Sequence, residues 1–365
     1  MRNKSANLEV ESMESEVLSL ITERQRQILN LIVSLYSKDR NPIGSKALLD
    51  EIHASSATIR NDMKVLEDLG FIQKEHTSSG RVPSVLGYKY FVEHVLTFEE
   101  FSQNDLFQVM KAFDGEFYRL TDLFQTAANT LSALTGLTSF VLSIPQQEQK
   151  LASFELVLLD THSVLSVITL GTGEVRTNQF SLPKSMTDSD LQVFSNLVKE
   201  RLVGKKVLEI HYTLRTEIPQ IVQRYFKVTS DVLQLFETVF SDLFDERLIS
   251  GGRQSVFDYT TENLSELYKL LTNDRLMVHE IREMTDNDEM RLVEFNKKDF
   301  LKNLTILNQK FVIPYRGLGS LTLIGPVELD YRQTLSVLDL VAKVLSMKLA
   351  DYYRYLDGNH YEIRT

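Results

Sequence analysis

No cysteine occurs among the 365 residues. That excludes disulfides, thiolate-ligated zinc and a cysteine nucleophile, and it fits a reducing compartment. Long hydrophobic runs are missing too, since no segment approaches the roughly 20 apolar residues that a membrane span needs. The first residues carry Glu9, Glu11, Glu14 and Glu16 and no apolar run after a basic start, so they do not read as a secretory signal. Residues 1–21 read as a flexible extension of a cytoplasmic protein. Positive charge is also in deficit, with 40 Lys and Arg against 50 Asp and Glu. The deficit is uneven: residues 22–95 carry a net +1, whereas residues 96–365 carry −9. The near-neutral module is the one part that is not acidic, and affinity for nucleic acid would have to come from local clustering of Lys46, Arg60, Lys64, Lys74 and Arg81 within it.

Signatures of catalysis are equally sparse. Gly171-Thr-Gly173 and Gly317-Leu-Gly319 lack the spacing and the following Lys or Ser/Thr of a phosphate loop, and read as hairpin turns. His279 and Glu283 form an isolated pair with no third metal ligand in sight. Asp286, Asp288 and Glu289 form an acidic run without an EF-hand glycine, which reads as a solvated loop. Neither an enzyme nor a cofactor is expected.

The module that stands apart in charge also carries the strongest pattern. Thr22 followed by Gln25 is a capping-box start, and Ile28, Ile32 and Leu35 recur at helical spacing until Asn41-Pro42 stops the helix. A second short helix is expected over Lys46–Ile52, with Ser55 or Ser56 capping a third. At about 100° per residue, Ile59, Met63 and Leu66 of this third helix fall on one stripe, leaving Ala57, Arg60, Asn61 and Lys64 on the opposite arc. A hairpin of Phe71–Lys74 and Arg81-Val82 follows, joined through His76-Thr77-Ser78-Ser79-Gly80. Three helices and a hairpin make a winged helix-turn-helix. On this reading Arg60 and Asn61 reach base edges, and Thr58 and Lys64 grip phosphate. Lys46 and Ser56 flank them, and the wing tip His76-Thr77-Ser78-Ser79-Gly80-Arg81 offers hydroxyl and backbone donors, with Gly80 allowing a tight turn near the phosphates and Arg81 reaching phosphate or the minor groove.

Beyond the wing, Ser84 caps a helix bearing Tyr88, Phe91, Val92 and Val95, and Asn104–Leu134 reads as one long helix. Ser139–Ile144 looks like a strand, and Phe154–Asp160, Val164–Leu170 and Glu174–Leu182 form an antiparallel meander followed by amphipathic helices to about Ile249. After Gly251-Gly252, strands are expected at Leu276–Arg282, Arg291–Phe295, Phe311–Tyr315 and Ser320–Ile324, with a closing helix over Arg332–Tyr355. The helices around Leu233–Phe244 carry more apolar surface than a lone unit of this size needs, which places a dimer contact in residues 151–250. A two-fold protein on an inverted repeat also answers the few base pairs that one winged helix can read.

Several runs resemble one bacterial family. Thr22-Glu-Arg-Gln25, Pro42-Ile-Gly-Ser-Lys46, Ser55-Ser-Ala-Thr-Ile-Arg-Asn-Asp-Met63, His76-Thr-Ser-Ser-Gly-Arg-Val-Pro83 and Gly87-Tyr-Lys-Tyr90 are similar to the heat-inducible transcription repressor family HrcA. Pro314-Tyr-Arg-Gly317, Leu323-Ile-Gly-Pro326 and Leu329-Asp-Tyr331 extend the resemblance over nearly the whole chain, while Val327-Glu328-Leu329 departs from the Thr-Arg-Met often found there. The resemblance implies a multidomain α+β protein. Its winged helix over 22–96 would be followed by a GAF-like α/β domain over 97–150 and 251–365, interrupted by an α+β dimerisation domain over 151–250. It also implies a homodimer repressing chaperone operons through the inverted-repeat CIRCE operator, with the chaperonin GroEL keeping the repressor active. Two other readings stay open from the residues themselves: a regulator gated by a small molecule in the GAF-like domain, and a winged helix that docks proteins without touching DNA.

Overall fold

The structure, a computed structural model, describes residues 21–75, 80–96, 101–117, 119–143, 148–227, 229–244, 248–260, 263–285, 289–295, 301, 303–314 and 317–361. The expected extension over 1–20 and the wing tip His76–Ser79 lie outside them.

The N-terminal head forms as its caps dictate. Thr22 Oγ1 accepts from Gln25 N at 3.3 Å and Thr22 N donates to Gln25 Oε1 at 2.9 Å, closing the capping box of helix α1 (Glu23–Asp39). The expected second helix is instead a 3-10 turn over Ser45–Leu48. Gly44 precedes it without a side-chain cap, and burial of Leu48 and Ile52 fixes the short segment in place. Helix α2 (Ser56–Asp68) starts at Ser55, whose Oγ accepts from Thr58 N at 3.1 Å. Strands β1 (Ile72–Lys74) and β2 (Arg81–Pro83) then pair antiparallel, and α3 (Val85–Tyr90) is capped by Ser84.

Gly87 of α3 lies where a Cβ would overlap the Phe71 carbonyl oxygen. Only glycine lets this helix close onto the strand entrance. Gly87→Ala is therefore expected to destabilise the head by about 1–3 kcal/mol through forced displacement, read as a lowered Tm with the far-UV spectrum retained; an unchanged Tm would show that the two segments separate freely.

The body is a five-stranded sheet in the order β7-β3-β10-β9-β8, built from Thr138–Leu142 (β3), Leu248–Gly251 (β7), Arg291–Phe295 (β8), Leu304–Ile313 (β9) and Gly317–Pro326 (β10). All of its neighbouring strands run antiparallel. The chain leaves this sheet after Leu142 and re-enters at Leu248, which is its register partner. Everything between is a separate unit of three antiparallel strands, β4 (Leu151–Leu158), β5 (Ser163–Leu170) and β6 (Val175–Ser181), with helices α6 (Asp188–Arg201), α7 (Val207–Thr216), α8 (Ile218–Tyr225) and α9 (Thr229–Phe240). This unit has its own core, in which Phe154, Phe194, Phe236 and Phe240 pack against one another with centroid separations of 4.4–6.3 Å. In the helices around Leu233–Phe244, whose apolar surface pointed to a dimer contact beyond the unit's own core, Leu235, Phe236, Val239, Phe240 and Leu243 are buried in that core and Leu233 and Phe244 are partly buried against it. Large apolar side chains left exposed on the unit include Val157, Leu158 and Val175 of its sheet.

Three expectations for the body need correction. Asn104–Leu134 is two helices, α4 (Gln103–Ala112) and α5 (Leu120–Thr135). Gly115 is a poor helix former in the break, and the chain bends there with Phe113 buried. Leu276–Arg282 is not a strand but part of helix α11 (Asp274–Thr285), which follows α10 (Leu264–Thr272). Met277, Ile281 and Met284 bury one helical face, and Asn273 Oδ1 accepts from Leu276 N at 3.2 Å. Gly317-Leu-Gly319 opens strand β10 rather than forming a turn, whereas Gly171-Thr-Gly173 does link β5 to β6.

The last helix, α12 (Tyr331–Tyr361), packs with α5 on one face of the sheet, and α10 and α11 cover the other. It also meets both other units. At its start Tyr331 packs on Tyr88 of the head at 5.7 Å, and Arg332 donates to Asn30 Oδ1 at 2.9 Å. Just before it, Arg40 pairs with Glu328 at 2.8 Å and Ser37 Oγ donates to the Leu329 carbonyl at 3.0 Å. Further along, Tyr353 Oη donates to the Thr172 carbonyl in the β5–β6 turn at 2.6 Å. Burial holds the Tyr331 phenol well above the ordinary tyrosine range, so it stays a neutral donor, here to the Val327 carbonyl at 2.6 Å. Among the described residues, no helix is long and apolar enough to cross a membrane.

Candidate nucleic-acid interface

Helix α2 divides as the periodicity predicts. Ile59, Met63 and Leu66 are buried against the head, while Ala57, Arg60, Asn61 and Lys64 are exposed. Arg60, Asn61 and Lys64 line a concave groove of about 740 Å³ together with Lys46 from the 3-10 turn and Lys74 and Arg81 from the wing strands. Four separate elements thus bring five cations and one amide to one surface, together with the carboxylates of Glu67 and Asp68. Arg60 is steadied from below, since its Nε donates to Ser45 Oγ at 3.2 Å, and Ser45 Oγ lies 3.0 Å from Ser56 Oγ. Thr58 Oγ1 sits 2.9 Å from the capping Ser55 Oγ at the helix N-terminus.

Two expected contacts have a different setting from the one the residues suggested. Gly80 is buried, and a Cβ there would lie 2.6 Å from Pro42 Cβ and 2.8 Å from the Pro42 carbonyl carbon, so its bareness serves close packing within the head. Arg81 donates from Nε to Glu67 Oε2 at 2.8 Å, and its side chain is only 16% exposed.

Sequence periodicity missed what holds the reading helix. Asp62 lies on the buried side of α2 and accepts from Arg24 Nε at 2.7 Å and from Gln25 Nε2 at 3.1 Å. Gln25 therefore both closes the capping box of α1 and ties α1 to α2. The hydrogen bond to Asp62 raises the Arg24 guanidinium above its ordinary range. A carboxylate recurring among the apolar positions of a helix was the available signal, since such a group must find partners.

Elsewhere, His279 and Glu283 stand 3.9 Å apart on the exposed side of α11, and among the described residues no group of three His, Cys, Asp or Glu side chains is placed to hold a metal ion.

A capped helix presenting donors beside a two-stranded wing defines a winged-helix protein of the transcription-regulator class. The family model "Winged helix-turn-helix transcription repressor, HrcA DNA-binding" matches residues 20–95, and the model "HrcA protein C terminal domain" matches residues 121–335. Heat-inducible transcription repressors HrcA from Lactococcus lactis subsp. lactis (strain IL1403) and subsp. cremoris (strain SK11) are each 77% identical over 345 residues, covering 94% of this chain and 99% of theirs. A solved structure described as a hypothetical protein at 2.2 Å resolution shares the fold at a TM-score of 0.59 and 20% identity, over 91% of this chain and 99% of that one. The chain belongs to the HrcA family of heat-inducible transcription repressors, and its head is that family's DNA-binding winged helix. It is a repressor, not an enzyme.

Proposed function

We propose that this cytoplasmic protein binds, as a homodimer, an inverted-repeat operator of CIRCE type upstream of chaperone operons, and that the chaperonin GroEL raises its active fraction. The observation that carries the reading is the exposed Arg60, Asn61 and Lys64 face of α2, set in a groove with Lys46 and Lys74. Arg and Asn offer the forked donors that read guanine and adenine edges, and Lys64, Lys46, Ser56 and Thr58 supply phosphate contacts. By composition, His76-Thr77-Ser78-Ser79 would offer hydroxyl donors to phosphate. The five-stranded body serves as a GAF-like domain, and the unit between β3 and β7 serves as the dimerisation domain.

One titration tests the whole proposal. Soluble, monodisperse protein is added to its own chaperone-operon upstream DNA, with and without chaperonin. The expected result is a shift at the inverted repeat, saturating at two chains per operator, with the competent fraction rising when chaperonin is present. Binding already complete without chaperonin would leave the chaperonin as a refolding aid only. A head that shifts no duplex at all would be a protein-docking module.

A further inference from the structure

Resting on the assignment of this groove to DNA, we propose that Glu67 is the positioning residue of the wing. It pins the open end of the hairpin to the recognition helix, and Arg81 is the strut it pulls on rather than a ligand of phosphate.

The wing is a very short hairpin, with only Ile72–Pro83, Gln73–Val82 and Lys74–Arg81 in register. Two-stranded ribbons are marginal by themselves. Its last pair before the tip sets two cations directly opposite each other, an arrangement that repels. Glu67, in the final turn of α2, answers both. Its Oε2 takes Arg81 Nε and Nη2, each at 2.8 Å, and its Oε1 faces Lys74 Nζ at 3.5 Å. The Arg81 backbone is tied on its other side, donating to the Ile43 carbonyl at 2.9 Å and accepting from Ile43 N at 2.8 Å. Gly80 packs on Pro42 immediately before it. The Lys74–Arg81 end of the hairpin is thus fixed by helix α2 through Glu67 and by the Ile43 β-bridge through the backbone.

Exposure separates the two cations. The Lys74 side chain is 55% exposed and loosely held, whereas that of Arg81 is 16% exposed. A cation so covered, with two nitrogens on one carboxylate oxygen, is poorly placed to displace counterions from DNA; Lys74 is well placed to do so. Glu67 itself lines the DNA-facing groove, where a bare carboxylate would repel phosphate. Arg81 neutralises it.

Operator binding by the full chain across a salt series, with hydroxyl-radical footprints, tests the assignment. The variants are Glu67→Gln, Arg81→Gln, their double, and the exchange Glu67→Arg with Arg81→Glu; Lys64→Ala is the control for a phosphate contact. Each single variant is expected to weaken binding about tenfold at each half-site, as for loss of a charge-assisted hydrogen bond. The double should be no weaker than either single, and the salt slope should stay as in the parent. Footprints should lose the protection flanking each half-site and keep the central major-groove protection, which a general loss of stability would not do. The exchange should restore part of the flank. A slope lowered by about one in Arg81→Gln, tighter binding in Glu67→Gln, or an unchanged flank would each overturn the assignment. Lys64→Ala with an unchanged slope would instead remove the DNA reading of the groove, and the clamp with it.

Discussion

Replacing residues 144–247 with a short Gly/Ser linker is expected to give a monomer whose operator affinity is lower by about 10²–10⁴-fold, with weak half-site binding retained. The excision is structurally permitted. Leu142 and Leu248 are cross-strand partners in the body sheet, so the two cut ends already lie side by side and a hairpin linker can join them. The removed unit has a core of its own built around Phe154, Phe194 and Phe240, and the body keeps the layers of α5, α10, α11 and α12. At the seam, the excision takes away the hydrogen bond from Tyr353 Oη to the Thr172 carbonyl. The size of the effect follows from effective concentration, because a dimer that has engaged one half-site holds its second head close to the other. Sedimentation of the excised protein reads the oligomeric state, and titration against single and paired half-sites reads the weakening. An excised protein that still sediments as a dimer would move the dimer interface to the five-stranded bodies.

The head was legible in the sequence because its determinants are local. The capping box at Thr22 and Gln25, the Ser55 cap, the apolar stripe of Ile59, Met63 and Leu66, and the strand-turn-strand after Leu69 each act within a few residues. The closing helix and the meander were legible for the same reason. The nesting was not. Nothing in the local pattern of Leu248–Gly251 reveals that its partner lies at Ser139–Leu142, more than a hundred residues back, and the Gly251-Gly252 pair at its end reads as a boundary. Leu276–Arg282 misled because a short apolar run suits either element, and the decisive residue, Met284, falls outside the run. The interface was legible as a set of exposed donors but not as a mechanism. Asp62 and Glu67 carry no DNA-binding chemistry, and only folding brings Arg24 to the first and Arg81 to the second.

Arg60→Ala is expected to cost about 1–3 kcal/mol at each half-site, the range for one bidentate base contact. A two-fold protein forgoes that interaction twice, so the full operator should lose about 30-fold to 10⁴-fold in affinity. Arg60 is exposed, and the Ser45–Ser56 hydroxyl pair steadies its Nε from the protein side. Preorganisation of this kind lowers the entropy that the side chain loses on binding. Two comparisons separate base reading from charge. Arg60→Lys retains the positive charge but not the planar fork, so it should keep most of the salt dependence and still lose discrimination at one base position per half-site. Lys64→Ala should weaken operator and unrelated duplex alike while reducing the salt slope. Measured on operators substituted one base pair at a time, the Arg60→Ala protein should become indifferent at a single symmetric pair of positions and keep its preference elsewhere. Unchanged operator affinity in a folded Arg60→Ala protein would mean that the guanidinium stays on Ser45 in the complex and that Asn61 alone reads the groove.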